Sequence, residues 1–305
     1  MRVVFMGTPD FSVPALERIA SEHEVVAVVT QKDKPKGRGQ ELAFTPVKES
    51  ALKLNIPVLQ PEKVKEESFV KELKDLNPDA IVVIAFGQIL SNDILTLPKY
   101  GCINVHASLL PKYRGAAPIQ WAVIDGEEKS GVCTMKMDEG LDTGDIIDVD
   151  EITLDPKETG GSLFDKLSKL GGELILKTLQ NLEFGKATFI KQDDSKSTYA
   201  KKMTKDLGHI DFTKDAVSIE RLIRGLNPWP SAFTYLDGKV MKIWDADVVE
   251  ETGEPGTVIN EDKDSFVIAT GDKALKVNEL QLEGKKRMKA SDFLNGRSIE
   301  GSKLG

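Results

Sequence analysis

Unbroken Val and Ile runs alternate with longer stretches of helical spacing through the first half of the chain. VVFMG (Val3 to Gly7) precedes PALERIASE, and VVAVVT (Val25 to Thr30) precedes a loop and then PVKESALKLN. VKEESFVKELKDLN leads into AIVVIAF, from Ala80 to Phe86. Apolar runs without polar alternation suit strands covered on both faces, and their alternation with helices predicts a parallel sheet built from right-handed crossovers. GCINVHA adds a strand, IQWAVIDGE a helix and GVCTMKM a further strand, and Ser162 to Leu182 spells a long amphipathic helix that closes the unit.

The texture changes after Leu182. EFGKATFIKQDDSKSTYAKKMTKDLGHI is polar, lysine-rich and weakly periodic, as an interdomain connection is. Beyond it come short β-type stretches, SAFTYL, KVMKIWDADVV, GTVINEDKDSFVIAT and KALKVNELQL, separated by D-G, E-P-G and G-D turns. That spacing predicts a small barrel of the five-stranded oligonucleotide-binding (OB) type. The expected architecture is α/β: a Rossmann-like N-terminal domain with a mostly parallel sheet over residues 1–188, a linker over 189–207, and a C-terminal OB-type β-barrel domain over 208–305. No internal repeat or low-complexity tract interrupts this order.

With 305 residues, 40% hydrophobic and 30% charged, the composition is that of a chain able to bury a sizeable core. No stretch reaches the roughly 18 apolar residues of a spanning helix, and the opening MRVVFMGTPDFSVP is too short in apolar residues for a signal peptide, so the chain reads as cytoplasmic, with no membrane partner and with monomer as the default. The two cysteines, Cys102 and Cys133, lie in apolar contexts without C-x-x-C spacing, which favours small core residues over a disulfide or a zinc site. A net charge of −8 argues against broad adhesion to nucleic acid, so a polyanionic partner needs a local basic handle.

Two familiar sites are excluded by residue type. FMGTPDFS offers one glycine where a dinucleotide fingerprint needs three, and Pro9 and Asp10 would place a ring and a negative charge near any pyrophosphate; no P-loop appears either. MDEGLDTGDI, read as a calcium loop from Asp138, has Thr143 where glycine is required and Val149 where a bidentate Glu is required. Three features remain. If GCINVHA is extended, Asn104 and His106 share one face while Ile103 and Val105 share the other. By itself that pair reads equally as a hydrogen-bonded strand end, and the acidic loop around Asp142 equally as a solvated turn. The connection QKDKPKGRGQELAFTP, longer than the about two to six residues usual between a strand and its helix, gathers Lys32, Lys34, Lys36 and Arg38 around glycines.

Taken together, the N-V-H strand, SLLPKYRGAAPIQWAVIDGE and MDEGLDTGDI resemble the folate-dependent formyltransferase family. The likeness runs essentially the whole length, with specific motifs in the first half and order and length alone in the second. It implies an enzyme that transfers the formyl group of 10-formyltetrahydrofolate, without a metal, and it is closest to the members whose acceptor is the amino group of methionine on initiator tRNA. A formyltetrahydrofolate hydrolase or a glycinamide ribonucleotide formyltransferase of the same fold is the alternative. The resemblance makes Asn104, His106 and Asp142 the catalytic residues. It places folate beside Ser108, Leu109, Leu110 and Pro111 and beside Phe86, Gly87, Gln88 and Ile89. It makes Lys32, Lys34, Lys36 and Arg38 the tRNA contacts, with Arg38 foremost, and gives the barrel a supporting part in tRNA binding. Acyl transfer to an amine needs donors aimed at the oxygen that gains charge and a group that takes a proton from nitrogen, which an amide, an imidazole and a carboxylate can supply.

Overall fold

The computed structural model describes residues 1–36 and 41–305, and the chain divides into two units. The first comprises Met1–Gly115, Lys129–Ile152 and Phe164–Tyr199; the second comprises Ala116–Glu128, Thr153–Leu163 and Ala200–Gly305.

In the first unit the Val and Ile runs form strands β1 (Arg2–Gly7), β2 (Glu24–Val29), β3 (Val58–Leu59), β4 (Ala80–Ile84) and β5 (Cys102–His106), followed by β6 (Lys129–Lys136) and β7 (Ile146–Thr153). They make one sheet in the order β7-β6-β5-β4-β1-β2-β3. From β3 to β5 every pairing is parallel, and β6 joins β5 antiparallel, with Asn104 opposite Met135 and His106 opposite Cys133. Branched side chains that lose little freedom in an extended backbone fill this sheet, and Val3, Val4, Phe5 and Met6 are fully buried. Strand order reverses between β1 and β4, and open sheets of this kind leave a crevice beyond the carboxyl ends of the strands at such a reversal.

Helices α1 (Val13–Glu22), α2 (Pro46–Lys53), α3 (Glu67–Leu76) and α4 (Asn92–Leu95) belong to this unit, as does most of a long helix met below. Phe69, Val70 and Leu73 of α3 join Val4, Met6, Ile81 and Val83 in one core layer. Thr45 caps α2 by accepting from the Lys48 amide at 3.2 Å, and Pro46 opens the helix. The extension between β2 and α2 has a paired stem, Lys34–Lys36 against Glu41–Ala43, where the sequence predicts only a loop.

The second unit carries α5 (Pro118–Ile124), the first turn of α6 (Gly160–Glu183), α7 (Ala216–Gly225) and α8 (Ala290–Leu294). Strands β8 (Ala232–Leu236), β9 (Lys239–Val249), β10 (Val258–Glu261), β11 (Phe266–Ala269) and β12 (Ala274–Leu282) form an antiparallel sheet in the order β8-β9-β12-β11-β10, with β13 (Met288–Lys289) on β12. This matches the strands expected from the sequence and is compatible with a barrel, the ladder being open between β8 and β10 among the described residues. Helix α7 was not expected. Its Ile219 and Ile223 pack with Met241, Ile243, Leu275 and Leu280, and Asp215 caps it by accepting from the Ser218 amide at 2.9 Å.

In the first unit α6 closes on the sheet through glycines. A methyl group at Gly171 would stand 3.0 Å from Val105 of β5, and one at Gly172 would stand 3.2 Å from the backbone of Pro14 in α1. Val105 therefore faces these helices, and the strand's period of two sends Asn104 and His106 to the other side.

Candidate active site

Asn104 and His106 stand at the carboxyl end of β5. One N–H of the Asn104 amide donates to the carbonyl of Val83 on β4 at 2.9 Å. Its second N–H remains available to a ligand, because an amide nitrogen carries two. Its Oδ1 is buried and has no hydrogen-bond partner among the described residues. His106 is 7% exposed, and its Nε2 lies 2.9 Å from the carbonyl of Tyr113. A carbonyl only accepts, so Nε2 carries the proton of that bond and Nδ1 is left facing Asp142, whose Oδ2 is 3.7 Å away.

The run Tyr113-Arg114-Gly115 explains how these groups are held. The Tyr113 carbonyl fixes the imidazole, and the Gly115 amide donates to Asp142 Oδ2 at 2.8 Å. Between them, Arg114 donates through Nε and Nη2 to Oε1 of Gln192, at 3.1 and 2.8 Å. Gln192 in turn donates to the carbonyls of Asp142 and Gly144, at 2.9 and 2.7 Å. Asp142 has φ +54°, in the left-handed region, and Tyr113 and Ala85, at φ +58° and +46°, share that conformation nearby. Such a residue costs of order 1–3 kcal/mol. The two Gln192 bonds to Asp142 and Gly144, about 1 kcal/mol each, and the charge-assisted bond from Gly115, about 1.5–3 kcal/mol, offset that cost, so the loop holds its shape.

Beside Asp142 is a cavity of about 130 Å³ lined by Gln88–Leu90, Leu95, Met135 and the loop from Met137 to Gly144. Its rim includes Ile89, 90% exposed, and Leu141, 58% exposed, so apolar surface stands uncovered on both lips. The Gln88 side chain accepts from the Val64 amide at 3.0 Å, which pins one lip. Six apolar residues share this lining with Gln88, Asp138, Glu139, Asp142 and Thr143, a mixture of apolar surface and polar groups.

The pattern of matches to known proteins now decides the family. The formyl transferase profile matches residues 1–179, and that of the formyl transferase C-terminal domain matches residues 202–298. The chain is 61% identical to the methionyl-tRNA formyltransferase of Lachnospira eligens, covering 98% of each chain. The chain belongs to the formyl transferase family. A methionyl-tRNA formyltransferase from Alkaliphilus oremlandii is 52% identical over the full length of both chains. Solved structures of lower identity share the fold: WlaRD, a sugar 3N-formyl transferase solved with dTDP and 5-N-formyl-THF, superposes with a TM-score of 0.68 at 22% identity, over 94% of this chain and 99% of its own. HypX from Aquifex aeolicus, solved with tetrahydrofolic acid, gives 0.62 at 18%, over 96% of this chain and 47% of its own.

Within this formyl transferase, Asn104, His106 and Asp142 come together at one strand end, and Asp142 lines the cavity with Gln88 and Ile89. Neither Asn104 nor His106 lines that cavity, although Met135, which pairs with Asn104 across the sheet, does. Phe86 is buried, and its carbonyl accepts from Thr8 and from Gln31, at 3.2 and 3.0 Å. Gly87, at φ +82°, leaves room for Gln31, whose Nε2 would stand 2.5 Å from a methyl group there. In the Ser108–Pro111 turn, Ser108 donates to the Lys112 carbonyl at 2.7 Å, Leu109 lies against Gly131, and Leu110 packs with Cys133, Met135 and Ile146; a cis peptide precedes Pro111. None of these four lines the cavity beside Asp142.

Of the basic residues, Lys32 pairs with Glu62 at 3.2 Å, and Lys34 borders a separate hollow with Thr8, Gln31 and Phe44. Lys36 ends the first stem strand, and Arg38 lies outside the described residues. Among the described residues no group of three His, Cys, Asp or Glu side chains could hold a metal, and no helix is long and apolar enough to cross a membrane. Gln192 and Arg114 escaped the sequence reading. The only local signal for Arg114 is its place within PKYRG, and Gln192 has none in its polar surroundings.

Proposed function

We propose that this formyl transferase moves the formyl group of 10-formyltetrahydrofolate to the amino group of methionyl initiator tRNA, for translation initiation, and that it works as a cytoplasmic monomer without a membrane partner. The observation that carries the reading is the approach of His106 Nδ1 to Asp142 Oδ2, at 3.7 Å, beside a cavity with apolar lips. Identity of 52–61% to methionyl-tRNA formyltransferases over 98–100% of the chain supports that acceptor.

When bound, the folate supplies an electrophilic formyl carbon. The orphaned Asn104 Oδ1 and the apolar walls fit a ring that carries N–H donors. Gln88 and Ile89 flank that ring directly, Phe86 and Gly87 shape the segment behind them, and Ser108 to Pro111 close the strand end. The free N–H of Asn104 donates to the formyl oxygen as charge gathers there. His106 takes the proton of the attacking amine at Nδ1, since Nε2 already holds its own, and gives it up to the leaving nitrogen as that nitrogen's bond to the formyl carbon breaks. A bare Nδ1 and a carboxylate are both acceptors, so the 3.7 Å approach to Asp142 becomes attractive only once Nδ1 is protonated. Asp142 thus stabilises the imidazolium as it forms, a contribution made in the transition state and absent before it. Lys32, Lys34, Lys36 and Arg38 engage tRNA phosphates, and the domain over residues 208–305 assists them.

The test replaces Asn104, His106 and Asp142 singly in single-turnover formyl transfer. Each change lowers the chemical step by about 10²–10³-fold and leaves the Kd for tRNA nearly unchanged. Equal losses in chemistry and in tRNA affinity would contradict these roles.

A further inference from the structure

We infer that Gln192 is a positioning residue for formyl transfer, its side-chain amide holding Asp142 in the orientation that faces His106. The inference rests on the role proposed for Asp142.

Ile146 and Ile190 exchange both backbone bonds, the Ile146 amide to the Ile190 carbonyl at 2.9 Å and the Ile190 amide to the Ile146 carbonyl at 2.8 Å. In an antiparallel pairing the residue two places onward on one strand stands opposite the residue two places back on the other. Gln192 therefore stands opposite Gly144, the floor of the Asp142 loop. Its amide is fully committed. Both hydrogens go to carbonyls of the loop, at Asp142 and Gly144, and its oxygen receives two donors from Arg114. Arg114 has only donors, so it fixes the amide oxygen on its own side and turns the NH2 group toward the loop. Asp194 accepts from Arg114 Nη2 at 2.7 Å and holds the guanidinium in turn.

The arrangement restrains Asp142 from two directions. Gly115 grips the carboxylate and Gln192 grips the carbonyl, so the left-handed backbone between them cannot relax without breaking one of the two. A carboxylate freed from that clamp would swing away from Nδ1 and would no longer meet the imidazole as it gains its proton. Gln192 does not itself line the cavity, and it reaches the site only through the loop carbonyls of Asp142 and Gly144 that it holds.

The experiment compares the full-length protein with Gln192→Ala and Gln192→Glu. The Glu variant keeps the shape and the acceptor for Arg114 but turns a carboxylate oxygen toward two carbonyls. Three readouts are taken: kcat and KM for formyl transfer to methionyl-tRNA, the melting temperature, and the 15N NMR shifts of the His106 ring at fixed pH without substrates. Both variants are expected to lose kcat by about 10–100-fold, with KM for tRNA and the melting temperature near wild type and the His106 ring signals moved. Wild-type kcat together with unmoved ring signals in Gln192→Glu overturns the inference. So does a loss of kcat that comes with a lowered melting temperature and unmoved ring signals, because a merely structural residue behaves that way. If the wild-type protein formylates no methionyl-tRNA, the functional reading fails, while moved ring signals in the variants still support the clamp.

Discussion

Gly144→Ala is the sharpest test of how closely the Asp142 loop must sit. A methyl group built at Gly144 stands 1.9 Å from the carbonyl oxygen of Lys136 and 2.9 Å from its carbon. Contacts of this kind do not fall below 3.0 Å, so the loop and the end of β6 must separate by roughly 1.1 Å, the difference between those two oxygen distances. The obstacle is backbone and cannot rotate aside. A movement of that size exceeds what the Gln192 bonds, at 2.7 and 2.9 Å, can absorb, and it carries Asp142 with it two residues away. Overpacking of this sort costs about 1–3 kcal/mol of stability, and an ångström of misplacement at a reacting group costs about 10²-fold in rate. The assay is single-turnover formyl transfer at saturating folate, with a thermal melt on the same preparation. The expected result is a folded protein with a modestly lowered melting temperature and kcat down by about 10²-fold. A folded variant with unchanged kcat would refute the argument that loop position governs the chemistry.

Two further outcomes follow from charge and burial. Arg38→Ala should weaken tRNA binding and flatten the dependence of log K on log salt by about 0.7–0.9, the loss of one phosphate contact, and an unchanged slope measured by filter binding would remove Arg38 from the interface. Burial disfavours a thiolate and pushes Cys102 up to about 12 and Cys133 up to about 11. Neither should react with iodoacetamide in the native protein at about pH 8, and both should react once it is denatured; rapid native labelling seen by mass spectrometry would contradict the packing of β5 and β6.

The parallel sheet was readable because its strands are unbroken Val and Ile runs buried on both faces, as in Val3 to Met6 and Ala80 to Ile84. β7 was not, because Asp148, Asp150 and Glu151 interrupt its apolar residues and its burial alternates from one residue to the next. Helix α7 carried a visible signal, an Asp215 cap and apolar residues at 216, 219 and 223, but it sits among β-type stretches that set the expectation for the whole region. Asn104, His106 and Asp142, the residues proposed for catalysis, were singled out through motifs at fixed positions along the chain. Their supports were not: the Tyr113 carbonyl and the Gly115 amide are backbone groups with no residue type to betray them, and Gln192 meets Asp142 across fifty positions. Sequence pattern reports which side chains carry chemistry, whereas the groups that aim them are set by tertiary register, here the bridge between Ile146 and Ile190.

The central claim is that this cleft transfers a formyl group from folate to an aminoacyl nitrogen. The most direct measurement is to incubate the purified protein with 10-formyltetrahydrofolate and methionyl initiator tRNA and to assay for formylmethionine released from the tRNA. The account predicts formylmethionine in step with tetrahydrofolate production, slowed by about 10²–10³-fold in Asp142→Asn; tetrahydrofolate and free formate with unformylated tRNA would contradict it and point to hydrolysis.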